Sequence, residues 1–139
     1  NPLHDLIGDA SDAGEQLLAS AAQSYQRGDF DHTATILAGV LALQDDVRAI
    51  KLLASTRLKQ RKHTEAEKLY ERAYHLDDKD LFVLEALAEI KLKSLRVQEA
   101  IPLFKRLLAL DPDGNHPAAN RGRQVLCDFC DKLREAKPK

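Results

Sequence analysis

Cys127 and Cys130 stand three positions apart and carry the only sulfur in a 139-residue chain that has no Met. A Cys-x2-Cys pair can ligate zinc or cycle between dithiol and disulfide. Zinc takes four ligands, usually as two such pairs, and this chain holds one. A thioredoxin-type centre places its pair at a helix start after a strand, whereas the residues around Cys127 and Cys130 follow a helical apolar period that puts them mid-helix. Cysteine in that setting packs as a small hydrophobe. The five histidines, His4, His32, His63, His75 and His116, are scattered and never fall at i, i+4. No glycine-rich phosphate loop and no Gly-x-Ser-x-Gly elbow occurs. The many carboxylates read as the solvated face of amphipathic helices. The chain is expected to be no enzyme, with no catalytic residue, no metal and no cofactor.

Charge is uneven where chemistry is absent. From Arg48 to Arg72 there are eight Lys or Arg against three Glu, and Arg61-Lys62-His63 fall together at a turn. The next turn, Asp77-Asp78-x-Asp80, is acidic. Both turns read as water-facing; the alternative for the basic one is a rim that steers an acidic partner. The formal net charge of -1 gives no electrostatic case for nucleic acid or an anionic membrane.

The elements that must position these residues are helices. Apolar residues make up 44% and charged residues 31%, with Leu and Ala prominent and Gly and Pro sparse, a helix-forming composition. No stretch approaches the ~20 apolar residues that cross a bilayer. Ala66-x3-Tyr70-x2-Ala73 recurs 34 residues later as Ala100-x3-Phe104-x2-Leu107, and Leu53-Ala54 as Leu87-Ala88. One unit earlier, at an offset of 33, stand Ser20-Ala21 and Thr33-x3-Leu37-x2-Val40. That period predicts antiparallel helix pairs. Small residues (Ala21, Ala54, Ala88) let the two helices of a pair approach, and larger ones (Leu37, Tyr70, Phe104) fill the space to the next unit. A single unit cannot bury its apolar face alone, so the units stack.

These residues resemble the tetratricopeptide-repeat family, whose period is 34. Gly28-Asp29-Phe30-Asp31 with Thr33-Ala34 is similar to the family's inter-helix turn, and Leu108-Ala109-Leu110-Asp111-Pro112 to its repeat end. The chain departs from the family where no Trp opens a repeat, where Thr33 replaces Ala, where Asp78 replaces Pro, and where Leu95-Arg96 replaces a Gly-containing turn. The resemblance implies an all-α fold of at least six helices without β-sheet. It is a single domain with repeats at about 14–46, 47–80 and 81–114 and a capping helix at 117–136. Pro102 is expected early in its helix, where a missing N–H is tolerated. The stripe Ala118, Gly122, Val125, Phe129 and Leu133 covers the last repeat. Arg121, Arg123, Asp128, Lys132 and Arg134 form that helix's outer polar face. Leu3, Leu6 and Ile7 read as a short apolar helix, about 2–9, ahead of the first repeat.

In that family the first helix of each repeat lines a concave face. This implies a groove of Glu15, Leu18, Ala19, Ala22 and Tyr25, then Arg48, Lys51, Leu52 and Ser55, then Phe82, Glu85, Ala86 and Glu89. Leu52 and Phe82 are expected to share one apolar pocket. Family members that grip a C-terminal carboxylate of heat-shock chaperones use Lys, Asn and Arg in the groove. Leu18, Ala22, Leu52, Phe82 and Ala86 stand at the matching positions, so that clamp is excluded. An apolar floor suits an extended peptide with hydrophobic anchors.

The layout, with Gln23-Ser24-Tyr25-Gln26-Arg27-Gly28 and Asp29-Phe30, resembles the tetratricopeptide chaperones of bacterial type III secretion, which hold translocator subunits before export. That likeness implies a cytoplasmic chaperone or adaptor for a protein partner, with a weak homodimer through the N-terminal segment. No nucleic acid and no membrane insertion are implied. The first residues, Asn-Pro-Leu-His-Asp, show no secretory pattern. The alternative is one structural segment of a larger scaffold or assembly factor, which the absence of an initiating Met favours.

Overall fold

The computed structural model describes residues 2–136, with side chains described from Asp12 onward. Seven α-helices follow one another: α1 Pro2–Gln26, α2 Phe30–Leu43, α3 Val47–Lys59, α4 His63–Leu76, α5 Leu81–Lys93, α6 Val97–Leu110 and α7 Pro117–Ala136. No strand occurs among the described residues. The chain divides into two compact units, one ending at Leu76 and one beginning at Asp77. Where a separate helix over residues 2–9 was expected, α1 runs unbroken from Pro2. The side chains of Leu3, Leu6 and Ile7 lie outside those described.

In the first unit α1 packs on α2, α2 on α3 and α3 on α4. Its core joins Ala21, Ala34, Leu37, Val40, Ala49 and Leu53, with Leu18, Ile36, Leu41, Leu52 and Leu69 packed against it. Ala21 and Ala54, the expected points of close approach, are fully buried. The polar Thr33 in the core is explained by a hydrogen bond. Ser24 Oγ lies 2.6 Å from Thr33 Oγ1, and both residues are fully buried. Each hydroxyl also has a backbone carbonyl within reach, Asp29 for Thr33 at 2.8 Å and Ala21 for Ser24 at 3.0 Å.

In the second unit α5 packs on both α6 and α7, and α6 on α7. Leu84, Leu87, Ala88, Phe104 and Leu107 are each no more than 2% exposed. Gly122 has a steric reason: a Cβ there would come within 2.5 Å of Leu107 Cδ2. The acidic turn does more than face water. Asp80 caps α5 by accepting from the backbone N–H of Phe82 (3.0 Å) and Val83 (3.3 Å), and Asp78 pairs with Arg106 at 3.1 Å. Pro102 is not in the first turn of α6, which begins at Val97. Its missing N–H frees the carbonyl of Gln98, an exposed residue.

Three helix pairs close with the same turn. Gly28, Arg61 and Leu95 have φ of 81°, 62° and 63°. The N–H of the following residue reaches back to Ser24, Arg57 and Lys91 in turn, at 3.0, 2.8 and 2.9 Å. Leu95 is 81% exposed and has little packing to set against its left-handed backbone. That conformation costs a non-glycine residue roughly 1–2 kcal/mol. Glycine would add back about 0.4–1 kcal/mol through the freedom of the unfolded chain. Leu95→Gly should therefore stabilise the protein by about 0.5–1 kcal/mol in urea denaturation. A lower midpoint would mean that the Leu95 side chain makes a compensating contact.

Candidate functional site

The expected groove residues fall on α1, α3 and α5, and most already have partners inside their own unit. On α1 and α3, Arg48 donates to Glu15 (Nη2–Oε1 2.6 Å, Nη1–Oε2 3.3 Å) and to Asp46 (Nη2–Oδ2 2.8 Å). Hydrogen bonds from Arg48 hold the carboxyls of Glu15 and Asp46 below the ordinary range. The two carboxylates, Asp46 foremost, raise the guanidinium in return. Asp46 also caps α3 through the Arg48 N–H at 2.9 Å. Arg48 thus fastens α1 to α3 instead of standing as a free cation for a ligand. Tyr25 Oη and Ser55 Oγ lie 2.6 Å apart, a second tie between these helices. The Tyr25 ring meets Phe30 edge-on with centroids 5.4 Å apart. Leu18 and Leu52 lean into the core and are half-buried, as is Lys51; Ala19 and Ala22 are exposed.

The second unit presents an aromatic. Phe82 follows the capping Asp80 by two residues, which turns its side chain outward at 52% exposure. His116 meets its ring edge-on, centroids 4.9 Å apart, and the Arg121 guanidinium lies 5.9 Å over it. Arg121 also grips Glu85 in a fork, Nε–Oε1 2.6 Å and Nη2–Oε2 2.9 Å. The Glu85 hydrogen bond raises the Arg121 pKa. Ala86 is half-buried, and Glu89 pairs with Lys93 at 2.9 Å. Phe82 thus belongs to a cluster within the second unit, and Leu52 packs against the core of the first.

His116 and Arg121 were not among the expected site residues. Arg121 was assigned to the outer face of a cap, but α7 packs on α5 and brings Arg121 over Phe82. A signal existed: Gly122 stands 34 residues after Ala88, continuing the series of small residues. The α7 stripe is buried at Ala118 and Gly122, half-buried at Val125 and Phe129, and 51% exposed at Leu133. Cys127 and Cys130 are both exposed. Among the described residues no three His, Cys, Asp or Glu side chains converge as metal ligands. No helix among those residues is long and apolar enough to cross a membrane.

Residues 51–115 match the family described as tetratricopeptide repeat. No curated protein matches the chain in sequence. Among solved structures the chain is similar to PcrH in complex with the chaperone-binding region of PopD. The TM-score is 0.77 at 22% identity, over 88% of this chain and 95% of that one; PcrH comes from Pseudomonas aeruginosa. It is similar to the Yersinia enterocolitica type III secretion chaperone SycD with a peptide of the translocator YopD, with a TM-score of 0.72 at 20% identity over 89% and 94%. It is also similar to the Sgt2 tetratricopeptide domain of Aspergillus fumigatus, with a TM-score of 0.76 at 14% identity over 91% and 85%. At these identities the likeness is one of fold.

Proposed function

We propose that this chain is a tetratricopeptide-repeat protein that acts as a peptide-holding chaperone or adaptor. It takes an extended segment of a protein partner destined for export or assembly, and it works in the cytoplasm without catalysis. The observation that carries this is Phe82. A large aromatic left half in water, held between His116 and Arg121, is the kind of anchor on which binding energy concentrates. The solved complexes of PcrH and SycD support the same role, since each holds a segment of another protein. Proposed contact residues are Phe82, Ala86 and Arg121 in the second unit. In the first they are the exposed Ala22 beside half-buried Leu18, Tyr25, Lys51 and Leu52. Glu15, Arg48, Ser55, Glu85 and Glu89 shape these faces through their ion pairs and hydrogen bonds. A weak homodimer through the N-terminal segment is part of the same proposal.

The test begins with a photo-crosslinking residue at position 86, and at exposed Lys105 as control, in cells that make the partner. A partner segment captured at 86 and not at 105 identifies the peptide to titrate. Phe82→Ala should then weaken binding by about 1–3 kcal/mol. Lost ring contacts should lower stability by no more than about 1 kcal/mol. Unchanged affinity in the folded variant would remove Phe82, and with it this face, from the proposal.

A further inference from the structure

The basic turn between α3 and α4 lies outside the faces just described, and among the described residues its cations make no ion pair. Arg48 pairs with Glu15 and Asp46, Arg57 with Glu65, and Arg72 with Asp45. Lys59, Arg61 and Lys62 are also in this segment, yet among the described residues they make no ion pair. Arg27, exposed at the α1–α2 turn, makes none either. The two turns are joined, because Gln60 Nε2 donates to Asp31 Oδ1 at 2.7 Å. Between them lies a cleft of about 380 Å³ walled by Lys59, Gln60 and Lys62 on one side and by Gly28, Asp29 and Phe30 on the other.

Arg61 holds φ at 62° in the position that Gly28 fills 33 residues earlier, as Leu95 does at 63° 34 residues later. Glycine at 61 therefore removes a cation while keeping the turn.

We propose that these joined turns are a second docking surface, which takes an acidic segment of a protein partner. Charge complementarity selects the occupant. Lys59 and Lys62 line a shallow cleft, and Arg27 and Arg61 stand on the two turns that form it; its carboxylates are already engaged, Asp29 by the His32 N–H and Asp31 by Gln60. Asp and Glu side chains on an extended segment can meet Lys59, Arg61, Lys62 and Arg27 one at a time and step past Asp29 and Asp31. A nucleic-acid backbone, charged at every residue, would meet those two carboxylates head-on, and the chain's net charge of -1 gives it no wider attraction. The surface acts through discrete cations, so it contributes on-rate and partner choice.

Three labelled probes test this on the full chain: a Glu/Leu peptide, its Gln/Leu analogue, and a single-stranded oligonucleotide of matched charge. The Glu/Leu peptide should bind, and several-fold more weakly at physiological than at low salt. The triple reversal Lys59→Glu, Arg61→Glu, Lys62→Glu should reduce its affinity at least tenfold. Arg61→Gly should lose affinity several-fold while its melting temperature holds or rises, a combination that damage to the fold does not produce. Lys105→Glu, a charge reversal on an exposed part of α6 outside both surfaces, should bind this peptide as the wild type does, so a loss confined to the turn variants is not an effect of bulk charge. The proposal is overturned if the Gln/Leu analogue binds as well as the Glu/Leu peptide, if the reversed variant keeps its affinity, or if the oligonucleotide binds more tightly than the peptide.

Discussion

Truncating Phe104 to Ala should cost the second unit about 3–5 kcal/mol, the usual range for emptying a buried phenylalanine site. Phe104 is 1% exposed on α6. Phe104 and Leu107 both lie under Gly122, where α7 comes closest: a Cβ on Gly122 would be 3.8 Å from Phe104 Cδ1 and 2.5 Å from Leu107 Cδ2. Domains are stable by only ~5–15 kcal/mol, so the loss removes a large share. The effect should reach function. Arg121 is next to Gly122 on α7, and its hold on Glu85 and Phe82 depends on that seat. Urea denaturation followed by helical circular dichroism measures the loss, with Phe104→Leu as the milder control. A cost below about 1 kcal/mol would mean that α7 does not rest on Phe104.

Asp111→Ala should lower the melting temperature on the order of 5 °C and weaken peptide binding as well. Asp111 is buried in the α6–α7 loop. It accepts the N–H of Asn115 (Oδ1, 3.0 Å) and of His116 (Oδ2, 2.8 Å), with Arg123 3.7 Å away. His116 in turn accepts the Ala118 N–H on Nδ1 at 3.1 Å and sets its ring against Phe82. Without Asp111 two backbone donors lose their partner, and the start of α7 loosens where it touches the site. The exposed Asp113→Ala is the control and should change neither readout. Acid gives an independent check. The His116 N–H, then that of Asn115 and the Arg123 charge, hold the Asp111 carboxyl below its usual value. Its contribution is therefore complete above the unfolded value of about 3.9 and is lost as pH falls through the lower folded one. The stability gap between wild type and Asp111→Asn should shrink across that interval. A gap that is flat with pH would mean that the carboxylate charge plays no part.

The sequence by itself determined the helices and their pairing. Apolar period and a repeat near 34 are properties of neighbouring residues, and they place Ala21, Ala54 and Ala88 in full burial without knowledge of anything distant. It also determined Gly28 as a helix end, because only local backbone geometry is involved. It announced α7 through Ala118 and Gly122, but not that α7 would bring Arg121 over Phe82. A sequence pattern says which face of a helix is apolar; it does not say which neighbour lies against that face or how far a side chain reaches across. So Leu52 turned out half-buried on its own core and Phe82 turned out flanked by His116 and Arg121. Only the packed structure decided which charges meet. Arg48 takes Glu15 from 33 residues back and Arg121 takes Glu85 from 36 back, while Lys59, Arg61 and Lys62 are left facing water. Ion pairing depends on distances of a few ångströms between side chains remote in the chain, and those distances exist only once the helices have settled against one another.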